Sequence, residues 1–337
     1  LNGGCSRYFN PITLIVFLVP LLSSAYRPAW YLRNATAQTV LPALLRFFPR
    51  PEFERERLFT PDDDFIDIDR LRASSRKLVL IVHGLEASTG SGYIRGMAAA
   101  CRKSGWNVAA MNLRGVTHAP HELKRTYHSG ATADVNFVVE ELLKNQRWES
   151  LALVGFSLGG NLVIKYAGEK GNMIDPRIKS AVAISVPCDL KATALHLDGK
   201  NNGIYRRRFL RSLKKKLYVI RPRLPFDLSE EKISSLKTLV EYDDVFTAPM
   251  YGFANAMDYY AQCSSKQFIP SVAIPLLILN SMDDPFFTSD CLPVAECRNH
   301  PLVFLETTAF GGHVGFMTAS PWGKFYSEQR TIEFLGG

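Results

Sequence analysis

The stretch Gly155-Phe156-Ser157-Leu158-Gly159-Gly160 sets a single serine between glycines. It stands between a short apolar run, Leu151 to Val154, and an apolar helical stretch, Leu162 to Ala167. A strand that turns sharply into a helix presses backbone against backbone, and only residues lacking Cβ fit there. Such a turn holds Ser157 exposed and strained at a helix N-terminus, where free N–H groups and the helix dipole favour developing negative charge. The chemistry this suits is nucleophilic attack. A hydroxyl is a weak nucleophile near neutral pH, so a base must take its proton.

Seven histidines compete for that task. His83 ends an apolar run and reads as a brace of the following loop. His118, His121 and His128 fall in one loop region, and His196 and His300 in lid or loop contexts. His313, within Phe310-Gly311-Gly312-His313-Val314-Gly315-Phe316, follows the last expected strand, and its flanking glycines suit a loop that bends to deliver an imidazole. The acid is expected after the preceding strand, in Asn280-Ser281-Met282-Asp283-Asp284-Pro285. Asp284, directly before the proline, is the favoured acid, with Asp283 as the alternative. Two backbone N–H groups should receive the oxyanion: that of Leu158, after the serine, and that of Leu85 in the turn His83-Gly84-Leu85-Glu86. Glu86 reads either as a brace behind that turn or as a surface residue.

Elements able to position these groups follow from the apolar pattern. Leu78 to Val82, Asn107 to Leu113, Leu151 to Val154, Ala181 to Val186, Pro275 to Asn280 and Leu302 to Glu306 read as buried strands. Between them, Ile94, Met97, Ala98 and Cys101, and then Val135, Val138, Val139, Leu142 and Leu143, repeat with helical spacing, Asp134 suiting the start of the second helix. This alternation predicts an α/β fold with a mostly parallel, doubly wound sheet. Phe53 to Thr60 and Asp64 to Asp69 read as an antiparallel pair turning at Pro61-Asp62-Asp63. From about 188 to 270 no strand run occurs, so a helical lid inserted between two core strands is expected.

The chain has 337 residues, 47% of them hydrophobic and 21% charged, which excludes disordered and collagen-like classes. Its net charge of +8 is local. Nine basic residues and no acidic one lie between Arg206 and Arg223, and the remaining 31 basic residues nearly balance 32 acidic ones. With Phe209, Leu210, Leu213 and Leu217 among them, these residues predict an amphipathic lid helix whose charges are solvated or rest on anionic lipid headgroups. No nucleic-acid motif accompanies them, and no nucleic-acid partner is expected. Cys5, Cys101, Cys188, Cys263, Cys291 and Cys297 lack metal-ligand spacing and read as buried free thiols, so no metal or cofactor is expected. Residues 1–26 read as an apolar extension to a domain spanning 27–337. The run Ile12 to Leu22, followed by Ser23-Ser24-Ala25, resembles a signal or anchor but is too short to span a bilayer unaided. A cytoplasmic location is favoured, with membrane association or export the alternatives.

Taken together, Val82-His83-Gly84-Leu85-Glu86, Asn112-Leu113-Arg114-Gly115, Arg125-Thr126-Tyr127-His128-Ser129-Gly130, the Ser157 motif through Asn161, Met257-Asp258-Tyr259-Tyr260, Asp283-Asp284-Pro285 and Gly311 to Phe316 resemble the YheT-like branch of the α/β-hydrolase superfamily. That branch also holds embryogenesis-associated plant proteins and lipid esterases. The resemblance runs from about Arg27 to the end. It implies a triad of Ser157, Asp284 and His313 and carboxylic-ester hydrolysis, in some members on lipid acyl esters. Ala87 departs from the glycine often found after His-Gly-Leu-Glu. The expected protein is a cofactor-free serine carboxylesterase of short- to medium-chain acyl or lipid esters. The alternatives are a catalytically silent binding protein of the same fold and a lipid acyl hydrolase working at a membrane surface. No histidine has an aspartate five residues later, so hydrolysis is preferred to acyl transfer. The aromatic cluster Tyr251, Phe253, Met257, Tyr259 and Tyr260 reads as packing for the lid, as lining for an acyl pocket, or as both.

Overall fold

A computed structural model describes residues 20–46, 51–119, 122, 125–320 and 323–336. Among these, nine strands form one sheet: β1 (Leu21–Ser23), β2 (Glu54–Thr60), β3 (Asp64–Leu71), β4 (Lys77–Val82), β5 (Asn107–Met111), β6 (Ser150–Phe156), β7 (Ile178–Ile184), β8 (Leu276–Ser281) and β9 (Val303–Thr308). Their order is β1-β9-β8-β7-β6-β4-β5-β3-β2. The strands from β5 to β1 pair parallel, while β3 is antiparallel to both β2 and β5. Strands β4, β6, β7 and β8 are buried along nearly their whole length, which is why their sequences read as continuous apolar runs.

Helices α1 (Ala35–Leu45), α2 (Gly92–Lys103), α3 (Thr132–Lys144) and α4 (Leu158–Lys170) flank the sheet. Between β7 and β8 the chain makes the expected insertion: α5 (Leu190–Asp198), α6 (Gly203–Ile220), α7 (Glu230–Ser235), α8 (Leu239–Tyr242), a π-helical turn over Asp243–Thr247, α9 (Ala248–Tyr251) and α10 (Ala256–Cys263). It has its own apolar centre, including Leu210, Leu217, Ile233, Tyr242 and Phe246. The short α11 (Val294–Cys297) precedes β9, and α12 (Tyr326–Phe334) closes the described chain.

One boundary differs from the sequence-based expectation. Residues 21–26, assigned to a separate extension, belong to the folded domain. Leu21, Leu22 and Ser23 pair with Leu305, Glu306 and Thr307, and Ser24 Oγ donates to Glu306 Oε1 at 2.7 Å. Tyr26 is buried and its hydroxyl donates to the Met317 carbonyl at 2.5 Å. Three residues are too few to show an alternating pattern, and their partner strand lies more than 280 positions away. The apolar run from Ile12 to Val19 and Cys5 lie outside the described residues. Among those described, no helix is long and apolar enough to cross a membrane.

Candidate active site

Ser157 joins β6 to α4 with φ 52° and ψ −120°, a left-handed backbone that costs a residue with a Cβ about 1–3 kcal/mol. The glycines explain how the turn closes. A Cβ on Gly155 would lie 2.3 Å from the Gly159 carbonyl oxygen, and one on Gly159 would lie 2.3 Å from that of Val82. Although Ser157 occupies the N-cap of α4, its hydroxyl caps no backbone group of that helix. It lies instead 2.9 Å from His313 Nε2.

The other imidazole nitrogen, Nδ1, is 2.8 Å from Asp284 Oδ2. That contact assigns the Nδ1 proton to the carboxylate side and leaves Nε2 able to accept from the serine. Burial pushes the Asp284 carboxyl above its ordinary range, opposed by the charge and hydrogen bond of His313. Its second oxygen accepts from Phe286 N–H at 2.9 Å. Asp283 faces another way: its Oδ1 accepts from Gly312 N–H at 2.9 Å, so it holds the histidine loop without reaching the imidazole. Ser281 Oγ donates to the Gly312 carbonyl, and Thr39 Oγ1 accepts from His313 N–H at 2.9 Å. The histidine loop is thus gripped by the β8 loop on one side and by α1 on the other.

The turn after β4 lies against the serine. A Cβ on Gly84 would stand 3.0 Å from Ser157 Cβ and 3.5 Å from its Oγ. Gly84 N–H donates to Tyr93 Oη and Glu86 N–H to Tyr127 Oη. Between them, Leu85 N–H has no acceptor among the described residues, and neither has Leu158 N–H. His83 braces the turn. Its Nε2 accepts from Leu113 N–H, so Nδ1 carries the proton toward the Gly84 carbonyl 2.8 Å away. Burial pushes this imidazole down to about 4, keeping it neutral.

Leu85 and Leu158 open onto a cavity of about 120 Å³ between lid and core. Its walls are mostly apolar, with Leu190, Leu197 and Leu213 from the lid and Tyr242, Phe246, Tyr259 and Tyr260 closing it. Tyr251, Phe253 and Tyr259 surround His128 at ring-centroid distances of 4.3, 5.8 and 5.8 Å. The aromatic cluster therefore divides: Tyr259 and Tyr260 line the cavity, while Tyr251 and Phe253 pack the lid on the core. Asn161 ties the same seam, donating to the Ser129 and Cys263 carbonyls and accepting from Ser265 N–H.

Residues 77–320 match the family model described as the alpha/beta hydrolase fold. The chain belongs to the α/β-hydrolase family. Within it, the chain is similar to YheT of Escherichia coli (strain K12), 34% identical over 303 residues that cover 88% of each protein. It is 27% identical to the monoacylglycerol lipase of Saccharomyces cerevisiae over 81% of this chain and 61% of that one. Among solved structures it resembles the Pyrococcus furiosus esterase Pf2001, with a TM-score of 0.56 and 19% identity over 85% of this chain and 92% of that one. That likeness shows the fold.

Several residues of this hydrolase's site carry no signal in the sequence. Phe286 stacks on the His313 imidazole at 3.9 Å, and Thr39 and Gln38 of α1 support the histidine loop from the far end of the chain. Glu86 is not a surface residue: its side chain is 8% exposed and meets Tyr127, Ser212 and Lys216. Cys101, Cys188, Cys263, Cys291 and Cys297 are buried free thiols, and burial pushes all five up, Cys101 to about 12.

Proposed function

We propose that this α/β-hydrolase is a serine carboxylesterase that cleaves short- to medium-chain acyl or lipid esters through an acyl-enzyme. The observation that carries the reading is the contact chain from Asp284 to His313 to Ser157, 2.8 and 2.9 Å, ending on a serine whose hydroxyl is spared from capping its helix. Similarity to a monoacylglycerol lipase supports ester chemistry.

Ser157 Oγ attacks the ester carbonyl carbon as its proton passes to His313 Nε2. Asp284 stabilises the imidazolium, and the Leu85 and Leu158 N–H groups receive the negative oxygen. The imidazolium then protonates the departing alcohol, leaving the acyl group on Ser157. Water, giving a proton to His313, attacks the acyl carbonyl; that proton returns to Ser157 as the acid leaves. The cavity of about 120 Å³ is smaller than the roughly 300–1,000 Å³ of typical ligand pockets, which favours the shorter acyl chains.

The test pairs labelling with turnover. A fluorophosphonate probe should label the wild type and not Ser157→Ala, and p-nitrophenyl ester hydrolysis should disappear with the label. Equal labelling of both proteins, or wild-type labelling without turnover of any ester in a chain-length series, would support the silent binding protein instead.

A second reading concerns where the ester is met. Ile204, Arg207, Arg208, Arg211, Lys215 and Tyr218 are all exposed and follow one face of α6. A cationic stripe ended by an aliphatic and an aromatic side chain suits anionic lipid headgroups. Flotation should recover the protein with phosphatidylglycerol vesicles and not with phosphatidylcholine vesicles; recovery indifferent to lipid charge defeats this reading.

A further inference from the structure

A flank of α6, beside the buried Leu210, Leu217 and Ile220, turns toward the site, and its contacts converge on the proposed catalytic groups from two sides. Tyr205, Phe209, Ser212 and Lys216 follow one another at spacings of four, three and four residues, a single helical stripe. Its first half meets Phe286, with Tyr205 and Phe209 at ring-centroid distances of 4.9 and 5.6 Å. Phe286 in turn stacks on His313 and donates its N–H to Asp284. The second half meets Glu86. Lys216 Nζ is 2.6 Å from Glu86 Oε1, and Ser212 Oγ donates to Oε2.

Glu86 immediately follows Leu85 and has a left-handed backbone, φ 54°. No glycine relieves that conformation, so it persists only while its surroundings enforce it. The turn itself is closed by Ala87 N–H on the Gly84 carbonyl, which His83 Nδ1 also meets at 2.8 Å; the other contacts on Glu86 come from side chains. Glu86 N–H donates to Tyr127 Oη at 2.7 Å, and the carboxylate receives Tyr127 Oη–H at 3.2 Å together with the two lid donors. Its side chain is 8% exposed, so a carboxylate deprived of Lys216 and Ser212 could not recover their hydrogen bonds from bulk water without moving. Movement of Glu86 would reach the Leu85 amide through the turn: Ala87 N–H donates at 3.3 Å to the carbonyl of Gly84, which shares one peptide with Leu85 N–H.

We propose that Glu86 is a positioning residue through which lid helix α6 sets the Leu85 amide for the oxyanion, so that the site is complete only with α6 seated. The inference rests on the serine-esterase reading and extends it from the triad to the lid. A helix displaced to admit a bulky ester would loosen the Leu85 amide, and its return would restore it. Binding and oxyanion stabilisation would thereby be separated in time.

The experiment uses the whole protein and a soluble p-nitrophenyl ester, with rates normalised to the serine titrated by a fluorophosphonate. Lys216→Met, which keeps the stem but leaves Glu86 without its cation, should lower kcat by about ten-fold or more with KM little changed. Lys216→Arg should restore most of the loss. Glu86→Gln combined with Lys216→Met should cost less than the two single effects multiplied, because the stranded carboxylate is gone. Where Lys216→Met does not fold, Ser212→Ala reads the same contact and should lower kcat in the same sense. Wild-type kcat in these variants, or a loss confined to KM or to melting temperature, overturns the proposal while leaving the Ser157-dependent activity standing. Turnover that survives Ser157→Ala overturns the serine-esterase reading and this inference with it.

Discussion

The sheet with its flanking helices and the inserted lid are held in different ways. Of the flanking helices, α1 is capped by Asn34, but α2, α3 and α4, which pack on the central strands, start without a side-chain cap and are secured by burial. In the lid, Asp189, Ser229, Thr238 and Asn255 cap the short helices α5, α7, α8 and α10, with a full capping box from Thr238 and Glu241, while α6 and α9 start uncapped. Short helices on a small apolar centre need those polar ends, because each cap contributes about 1 kcal/mol where burial is limited. The uncapped start of α4 has another consequence: its leading N–H groups and the Ser157 hydroxyl stay available for chemistry. Rigidity in the core comes from backbone packing, and order in the lid comes from side-chain contacts that single substitutions can remove.

That contrast predicts unequal damage. Gly159→Ala drives a Cβ into the Val82 carbonyl at 2.3 Å, where only backbone can give way, and should leave no folded, labelled protein in a soluble-yield and fluorophosphonate assay. Recovery of active protein would show the core to be more compliant than its packing implies. Next in size, Asp284→Asn should lower kcat by about 10⁴ with the fold intact, as loss of the imidazole's orienting acid does elsewhere. Asp283→Asn, which keeps an oxygen for the Gly312 amide, should retain most activity. A reversal of that order in kinetic assays would exchange the roles of the two carboxylates.

In the lid, Phe246→Ala should cost about 3–5 kcal/mol at most, since Phe246 is 2% exposed, and should open the cavity it lines. The preferred p-nitrophenyl ester should become longer; an unchanged chain-length optimum would place the acyl group elsewhere. The smallest effect is in pH dependence. Burial raises the Asp243 carboxyl from 3.8 to about 6, so its contribution to stability is greatest in acid and declines as pH rises through 6. His83 and His128 are pushed from 6.5 to about 4, so theirs is present above 6.5 and lost as pH falls toward 4. Each shift corresponds to roughly 3 kcal/mol, and the signs oppose. Asp243→Asn should therefore make melting temperature fall more steeply between about pH 6 and 4 than in the wild type. Parallel curves for the two proteins would remove Asp243 from this balance.

The core was legible because its signals are contiguous. Leu78 to Val82, Leu151 to Val154 and the glycines around Ser157 each encode a local conformation, and their succession implies a parallel sheet. The lid was legible as a helical interval, and its basic segment as one helix. Its contacts were not legible: nothing in Tyr205, Phe209, Ser212 and Lys216 announces that Phe286 and Glu86 lie beneath them. The edge strand β1 carries no legible signal for a related reason, since its pairing with β9 is a property of the closed chain and its own three residues are ambiguous.

The sequence by itself determined the strand–serine–helix turn, the glycine-flanked His313 loop, the Asp283-Asp284 pair and the family, since each is written in neighbouring residues. Tertiary structure alone decided that Asp284 and not Asp283 faces the imidazole, that Leu21–Ser23 joins the sheet, and that Glu86 is held by the lid. The physical reason is direction. Residue type and spacing specify what a side chain can do, but where it points depends on partners brought beside it from distant parts of the chain.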